Sequence, residues 1–182
     1  MRARRIEIIE DVLAIYNGIL DGIQLGSFTE NKMLNILNLI VQKNTTYYIF
    51  EEGTESNEQG YKMVGFGGIR DNVEIFKVYV MPEFRGHDYG KKISLWLTNK
   101  IFKSGQIPKC WIKKQNVWNS AMKELGMEYN EKDSYEVNSY RLGDLEAYVN
   151  AKKKYDIDNI KEKWIERRVG TWEEYRRKLG RC

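Results

Sequence analysis

The residues best suited to chemistry lie in one short segment, 85–92, which holds two glycines, three basic side chains and the only histidine of the chain. The segment follows a β-branched and aromatic run that stops at Pro82, and an amphipathic run starts directly after it. In a strand–loop–helix unit, the free N–H groups of the loop and of the helix's first turn converge and bind phosphate. Gly86 and Gly90 allow a ligand to approach the backbone closely. The sequence therefore predicts a phosphate-binding loop here.

The elements that position this loop can be read from hydrophobic periodicity. Three runs before it have the composition of strands, namely Thr46–Phe50, Tyr61–Ile69 and Val73–Met81. Polar, turn-forming residues separate them, so we expect them to pair antiparallel, with Ile75 and Tyr79 on one face of the third strand. After the loop, the apolar spacing predicts a helix over 91–103. A short strand follows around the cysteine at position 110.

Further helices and one strand complete the predicted order. Apolar residues recur at three- and four-residue intervals over 6–20 and again after Thr29, which predicts two N-terminal helices. A later helix is expected over 117–125, with Gly126 as its C-cap, and a closing strand over 135–140. An order of two helices, three strands, helix, strand, helix and strand predicts an α+β domain.

The segment around the loop resembles motif A of the GNAT superfamily of N-acetyltransferases, whose pattern is Arg/Gln-x-x-Gly-x-Gly/Ala. Arg85 and Gly90 match the ends of this pattern, and Asp88 replaces its middle glycine. The G-x-G-x-x-G spacing of a Rossmann fold and the Gly-Lys-Ser/Thr ending of a P-loop are both missing. The resemblance covers about residues 45–130. It implies the GNAT fold, a mixed and mostly antiparallel sheet flanked by helices.

The resemblance also implies acetyl-CoA as co-substrate, lying between two splayed strands. Its pyrophosphate would bind the loop backbone, and its pantetheine arm would pair with the main chain of the preceding strand. The segment 116–127 is similar to motif B, an Asn-initiated helix, and leaves Asn116 and Asn119 as alternative contacts to the coenzyme. The predicted cofactor-binding residues are Val78, Val80, Arg85, Gly86, His87, Asp88, Tyr89, Gly90, Lys91 and Asn116.

Acetyl transfer to an amine needs a base for the amine proton and a donor for the leaving thiolate. Glu74 precedes Arg85 by the offset at which histone acetyltransferases of this superfamily carry their general base. The alternative is a solvent-facing strand glutamate paired with a lysine. The family's usual proton-donating tyrosine corresponds to Met122, which cannot donate a proton. Tyr129 is therefore the predicted donor, with Tyr79 as a second candidate and simple packing as the alternative for both.

The composition is that of a globular protein and not of a membrane or disulfide-framework protein. The chain has 182 residues, of which 42% are hydrophobic and 31% charged. No apolar run approaches the roughly 18–20 residues of a membrane span, and acidic residues interrupt the N-terminal stretch in which a signal peptide would be apolar. The two cysteines lack metal-ligand spacing, and Cys110 is expected to be a buried small residue. We expect a cytoplasmic protein without a metal site.

The C-terminal part of the chain carries the whole net charge of +4. We expect a GNAT domain over 1–142 and a basic helical extension over 143–182, whose apolar spacing predicts one or two helices and a final one after Thr171. Tryptophans and arginines interleave over 164–177, an arrangement that suits nucleic acid through stacking and phosphate contacts. Packing on the domain, or on a second subunit in a homodimer, is the alternative.

These observations predict an acetyl-CoA-dependent N-acetyltransferase that transfers the acetyl group directly to an amine-bearing acceptor. The residues do not identify that acceptor, which leaves an acyltransferase acting on nucleic acid as one alternative. The other alternative is a degenerate GNAT-fold protein that binds CoA or a partner without turnover. Asp88 and Met122 favour this last hypothesis, and Glu74 at the family offset opposes it.

Overall fold

The structure, a computed structural model, describes residues 1–5, 44–53, 60–114, 116, 118–130 and 137–163. Several predicted features lie outside these residues. They are the two helices expected over 6–20 and after Thr29, the final helix after Thr171, and the aromatic and basic cluster over 164–177.

Eight strands and three α-helices form the described part of the chain. The strands are β1 (Arg2–Arg5), β2 (Thr45–Glu52), β3 (Lys62–Arg70), β4 (Glu74–Val80), β5 (Lys109–Lys113), β6 (Met127–Asn130), β7 (Val137–Leu142) and β8 (Lys161–Lys163). The helices are α1 (Tyr89–Lys103), α2 (Asn119–Met122) and α3 (Leu145–Lys154). Short 3-10 turns cover Pro82–Phe84, Lys123–Leu125 and Ile157–Asn159.

The strands form one sheet in the order β6-β7-β5-β4-β3-β2-β1-β8. β2, β3 and β4 pair antiparallel, as the sequence predicts, while β4 with β5 and β1 with β8 are the parallel neighbours. The predicted fold class, a mixed and mostly antiparallel sheet with helices, is therefore confirmed. The predicted helix over 117–125 is divided into α2 and a 3-10 turn, and Gly126 ends it with a φ of 78°.

β1, β6 and β8 were not predicted, because short polar strands carry little hydrophobic pattern. β1 consists mostly of arginine, yet Arg2 and Arg4 lie 2.7 and 3.0 Å from the carboxylate oxygens of Glu51 on β2. Ala3 between them is fully buried. A basic segment can thus lie inside the sheet, since a carboxylate on the neighbouring strand compensates its charge.

Trp96 of α1 connects the helix layer to β2 and to the segment just before β8. Its ring makes edge contacts with Tyr48 and Phe50 of β2, at centroid distances of 5.0 and 5.3 Å. Its indole N–H donates to the carbonyl oxygen of Ile160 at 3.2 Å. α1 itself packs on β3 and β4. The core therefore holds the start of α1, where the predicted loop ends, in a fixed position on the sheet.

The predicted C-terminal extension contributes to this same sheet as far as residue 163. Asp144 caps α3, since its Oδ1 accepts from the N–H of Ala147 at 2.9 Å. Of the one or two helices expected here, the described residues contain one, α3. Ile157 lies in a 3-10 turn, and Lys161–Lys163 form β8 beside β1. None of the described helices has the length and apolar character that a bilayer crossing requires.

Candidate functional site

β4 and β5 are parallel neighbours that separate along their length. Of their described residues only Glu74 and Lys109 pair, at the start of each strand. β5 pairs instead with β7 over its whole length. Because the two strands part after this first pair, a wedge-shaped cleft opens towards the end of β4, where the predicted loop and the start of α1 lie.

A bulge in β4 decides which side chains face this cleft. Lys77 has a φ of 50°, and the pairing with β3 shifts register beside it. An extra residue reverses the alternation of side chains along a strand. Val78 therefore lies on the same side as Ile75, whereas the ring of Tyr79 stacks on Phe66 on the other side. The predicted alternation, with Ile75 and Tyr79 on one face, is wrong beyond the bulge.

The cleft has a volume of about 530 Å³ and is lined by the end of β4, the loop, the first turn of α1, and α2. Eight of the ten predicted cofactor-binding residues line it: Val78, Val80, Arg85, Gly86, Asp88, Tyr89, Gly90 and Lys91. The other two are elsewhere. His87 is exposed and is not among the described lining residues, and Asn116 lines the adjoining cavity instead.

The first turn of α1 faces the cleft without a side-chain cap. Asp88, the residue before the helix, has a left-handed φ of 58°, and its side chain makes no hydrogen bond to the helix N-terminus. Its carboxylate lies 3.3 Å from the Nζ atom of Lys91 instead. Lys91 therefore compensates the negative charge that departs from the family pattern. The amides of the first turn remain available for an anion, and the positive end of the helix dipole lies beside them.

Lys91 also ties the loop to the C-terminal part of the fold. Its Nζ lies 2.8 Å from Glu124 Oε2 and 3.2 Å from Tyr155 Oη, and Lys154 contacts the same carboxylate. The hydrogen bond to Glu124 is the main reason why the pKa of Lys91 is raised. Hydrogen bonds from Lys154 and then Lys91 lower the pKa of Glu124 to about 2. The charge of Lys91 thus mainly stabilises the fold.

Two hydrogen bonds fix the side chain of Arg85 in the wall of the cleft. Its Nε donates to the carbonyl oxygen of Val80 at 3.2 Å, and its Nη2 donates to the hydroxyl of Tyr79 at 3.3 Å. Both contacts hold the guanidinium where β4 meets the loop. An arginine in this place can bind phosphate oxygens through two parallel N–H groups.

Four lining residues were not predicted from the sequence: Phe84, Trp118, Ser120 and Ala121. Tyr79, which also lines the cleft, was predicted only as a second candidate for the proton donor. The contact of Trp118 with Gly90 explains the glycine. A Cβ atom on Gly90 would lie 2.3 Å from the Trp118 ring, so only glycine lets that ring pack on the first turn of α1. The sequence attributed both loop glycines to ligand approach, whereas Gly86 is favoured by its φ of 83°. No local pattern shows that Trp118 lies opposite Gly90.

The two asparagines of the motif B region have different surroundings. The side-chain amide of Asn119 donates to the carbonyl oxygens of Lys113 and Asn116 at 2.9 and 2.7 Å. Its Oδ1 accepts from Tyr140 Oη at 2.9 Å. Asn119 therefore holds the loop before α2 in place. Asn116, whose Oδ1 accepts from the N–H of Trp118 at 3.0 Å, lies nearer the ligand space.

A second cavity of about 300 Å³ adjoins the cleft and lies between β4, β5, α1 and α2. Val78 and Trp118 line both spaces. Ser94 and Thr98 of α1 line the second cavity from the helix side. The cleft and this cavity are thus neighbours along the inner side of β4, with Val78 and Trp118 between them.

Glu74, the predicted base, lies at the closed end of the wedge. It is 5% exposed, and its Oε2 lies 2.6 Å from Arg70 Nη2. Burial raises its pKa above the ordinary value of 4.5, although Arg70 opposes this shift. The described lining of the two cavities does not include Glu74. The alternative given for this residue, a solvent-facing glutamate paired with a lysine, is also not what is found, because Glu74 is buried and its ion pair is with Arg70.

Tyr129, the predicted proton donor, lies on the edge strand β6. It is 50% exposed, its ring contacts that of Tyr140, and it is not among the described residues that line either cavity. Met122, at the family's usual donor position, is buried with its sulfur 3.7 Å from that of Cys110. Burial raises the pKa of Cys110 to about 12, so this thiol packs and does not ionise near neutral pH.

Comparisons with known proteins give matches among solved structures. A protein from Desulfovibrio desulfuricans assigned to the GNAT acetyltransferases superposes with a TM-score of 0.55 at 12% identity, covering 77% of this chain and 96% of that one. The N-acetyltransferase PaiA from Thermoplasma acidophilum, in complex with coenzyme A, gives 0.52 at 17% identity, covering 78% and 98%. The acyl-homoserine lactone synthase BjaI, with SAM and isopentyl-CoA, gives 0.62 at 10% identity, covering 91% and 94%.

No protein-family model and no curated protein matches the sequence. The likeness is thus carried by topology, and it extends over almost the full length of each of these structures. In this chain, the divergence of β4 from β5 and the loop leading into α1 are parts of the sheet and helix arrangement that these comparisons concern. The chain has the GNAT acyl-CoA N-acyltransferase fold.

Proposed function

We propose that this protein is a CoA-thioester-dependent N-acyltransferase, with acetyl-CoA as the first donor to consider and an amine as the acceptor. One observation carries the proposal. The uncapped first turn of α1 faces a cleft at the end of β4, beyond the point where β4 has separated from β5. The cleft therefore combines an anion site at one end with free strand edge beside it.

The residues present fit a CoA thioester. The pyrophosphate would bind the amides of the loop and first turn, together with the guanidinium of Arg85. Beyond Glu74 the edge of β4 no longer pairs with β5, so its backbone groups can pair with the amides of a pantetheine arm. Neighbours of this fold contain coenzyme A or isopentyl-CoA, which supports the same assignment.

The chemistry asks for one base and one proton donor. The acceptor amine forms the new C–N bond at the thioester carbonyl, the C–S bond breaks, and the amine proton must be removed. Burial at the closed end of the wedge supports Glu74 as the base, because a raised pKa makes a carboxylate a better proton acceptor. Glu74 would act through a water molecule, since it does not line the cleft. Tyr79 is among the residues that line the cleft and its hydroxyl accepts from Arg85, so it is the other donor to test, with its ring on the side of β4 away from Val78.

Isothermal titration calorimetry with acetyl-CoA tests the binding half of the proposal. Arg85→Ala should weaken binding about 10- to 100-fold, because a charge-assisted hydrogen bond to phosphate is lost. Arg141→Ala, the same change at an exposed arginine on β7, is the matched control and should bind like the wild type. Equal weakening in both variants, or no binding by the wild type, would overturn the proposal.

Binding without turnover is the second candidate function, and specific observations favour it. Met122 is apolar, Tyr129 lies outside the cleft, and Glu74 is held by Arg70. Release of free thiol, followed with a thiol reagent over a panel of amines, separates the two candidates. Thiol release that depends on the amine supports the transferase. Tight acetyl-CoA binding with no release above the background rate supports the binding protein.

A further inference from the structure

The cavity next to the cleft is larger than an acetyl group requires. It measures about 300 Å³, whereas a water-sized group such as a methyl or methylene occupies roughly 30 Å³. Most of its described lining is carbon and sulfur: Ile75, Val78, Cys110, Ile112, Trp118, Met122, Leu125 and Met127. An apolar cavity of this size suits an aliphatic ligand better than ordered water.

The deeper walls of this cavity are buried and offer few free polar groups. Leu125 is 1% and Met127 is 3% exposed. The hydroxyl of Thr98 donates to the carbonyl oxygen of Ser94 at 2.9 Å, so it is already used within α1. The charged lining residues, Lys77 and Lys113, are exposed and therefore lie at the mouth. The interior thus favours an apolar ligand group, and the methionine side chains can adapt to the shape of that group.

The cavity also lies where the thioester end of a bound donor would arrive. A donor whose pyrophosphate binds the loop and whose arm follows β4 passes Val80 and then Val78. Val78 and Trp118 line both the cleft and the cavity, so the two spaces adjoin at these side chains, which the thioester end of the donor would reach. The pairing of Glu74 with Lys109 closes the wedge beyond this point.

We propose that this cavity, the acyl cavity, holds the aliphatic chain of a medium-length acyl-CoA of about four to eight carbons. The inference rests on the proposed function and specifies its donor substrate. The transfer keeps the same balance: the C–N bond forms, the C–S bond breaks, and the amine proton is released while CoA leaves as thiol or thiolate.

Calorimetric titration of the full chain with CoA and with acetyl-, butyryl-, hexanoyl- and octanoyl-CoA tests this without turnover. Hexanoyl-CoA should bind at least about tenfold tighter than acetyl-CoA, since each buried methylene contributes up to about fourfold. The gain should level off once the chain exceeds the cavity.

Two variants fill the acyl cavity from opposite walls, Ser94→Leu on α1 and Ile112→Trp on β5. Each should bind CoA like the wild type but reduce the gain from the longer chain to about threefold or less. Ser104→Leu, at the exposed end of α1, is the matched control and should keep the full gain. Two independent variants guard against the misfolding of one, and circular dichroism checks both.

The possible failures are distinguishable. If CoA and acetyl-CoA bind but longer chains bind no tighter, the acyl cavity is not a chain site and the proposed function stands. If the gain survives in both filled variants, the chain binds elsewhere and the assignment is wrong. If neither CoA nor any thioester binds, the proposed function fails and this inference fails with it.

Discussion

The two ends of β4 use charge and backbone groups in opposite ways. At its start, Glu74 pairs with Lys109 across the sheet and its carboxylate is held 2.6 Å from Arg70. At its end, β4 has left β5, and the loop beyond it presents uncapped helix amides to a cleft of about 530 Å³. At the start of β4 the strand is paired and the charged side chain has partners. At its end the strand edge is unpaired with β5 and the helix amides face a cleft.

This difference distinguishes polar groups that stabilise the fold from polar groups that are available to bind a ligand. Buried polar groups in a folded protein normally have partners, so groups left available beside a cavity point to an external partner. By that criterion the loop end is the part that we propose binds a ligand. Glu74 is held by Arg70, and as the proposed base it would act only through an intervening water molecule. The loop end has structural charge too, because Lys91 is held by Asp88 and Glu124. Each of these assignments can be tested separately.

The largest effect is expected for Gly90→Leu. The new side chain would collide with Trp118, whose ring lies 2.3 Å from the Cβ position, and would cover the first-turn amides. Acetyl-CoA affinity should fall about 100-fold or more by calorimetry, with a stability loss of about 1–3 kcal/mol. Gly105→Leu, at the other end of α1, should lose stability but keep its affinity. If Gly90→Leu kept its affinity for acetyl-CoA, the first turn of α1 would not be the ligand-binding end of β4.

Glu74→Gln tests whether the closed end takes part in chemistry. If Glu74 is the base, kcat should fall about 100-fold or more while acetyl-CoA affinity is unchanged. In the wild type, activity should rise with pH through a pKa above 4.5, because burial raises it and the ionised form accepts the proton. Glu51→Gln, another buried carboxylate paired with arginine, is the matched control. Equal loss of stability in both variants with unchanged kcat would make Glu74 purely structural.

Glu124→Gln measures the structural charge at the open end. The native pKa of Glu124 is about 2 against an ordinary 4.5, so its stabilisation is full above pH 4.5 and is lost as the pH falls towards 2. At pH 7 the variant should be less stable by about 1 kcal/mol or less, since the group is partly exposed. The gap to the wild type should close near pH 2 in urea titrations. Glu146→Gln on α3 should show no comparable change, and a gap independent of pH would contradict the assignment.

The smallest effect is expected for Tyr129→Phe. Its hydroxyl lies on an exposed edge strand away from both cavities, so kcat should change by less than about twofold. Tyr79→Phe removes a hydroxyl in the cleft wall that also accepts from Arg85, and it should cost more. Steady-state rates for the two variants decide between the donors. A larger loss in Tyr129→Phe would reinstate the sequence prediction.

Local pattern was sufficient where the answer depended on neighbours in sequence. Alternating and β-branched residues predicted β2, β3 and β4, and the helical spacing predicted α1 to within two residues of its start. The glycine-bearing loop between strand and helix was predicted because its order alone aims backbone amides at one place. Of residues 85–92, all but His87 and Lys92 line the cleft.

Other features depend on residues far apart in the chain. Periodicity does not show the bulge at Lys77, so the faces of β4 were assigned wrongly beyond it. Tyr129 was selected for its distance from Gly126 in sequence, but an edge strand placed it outside the site. Trp118 cannot be predicted as a site residue from the sequence, because only its contact with Gly90 in the fold places it there.

The sequence by itself determined the elements around the loop and the chemistry of the loop, since both follow from the order and type of adjacent residues. The tertiary structure decided that β5 leaves β4 after one pair, that Arg70 holds Glu74, and that a mostly apolar cavity adjoins the cleft. The physical reason is that pairing, burial and cavity shape depend on which distant side chains meet. A strand's own residues do not specify where its neighbour departs.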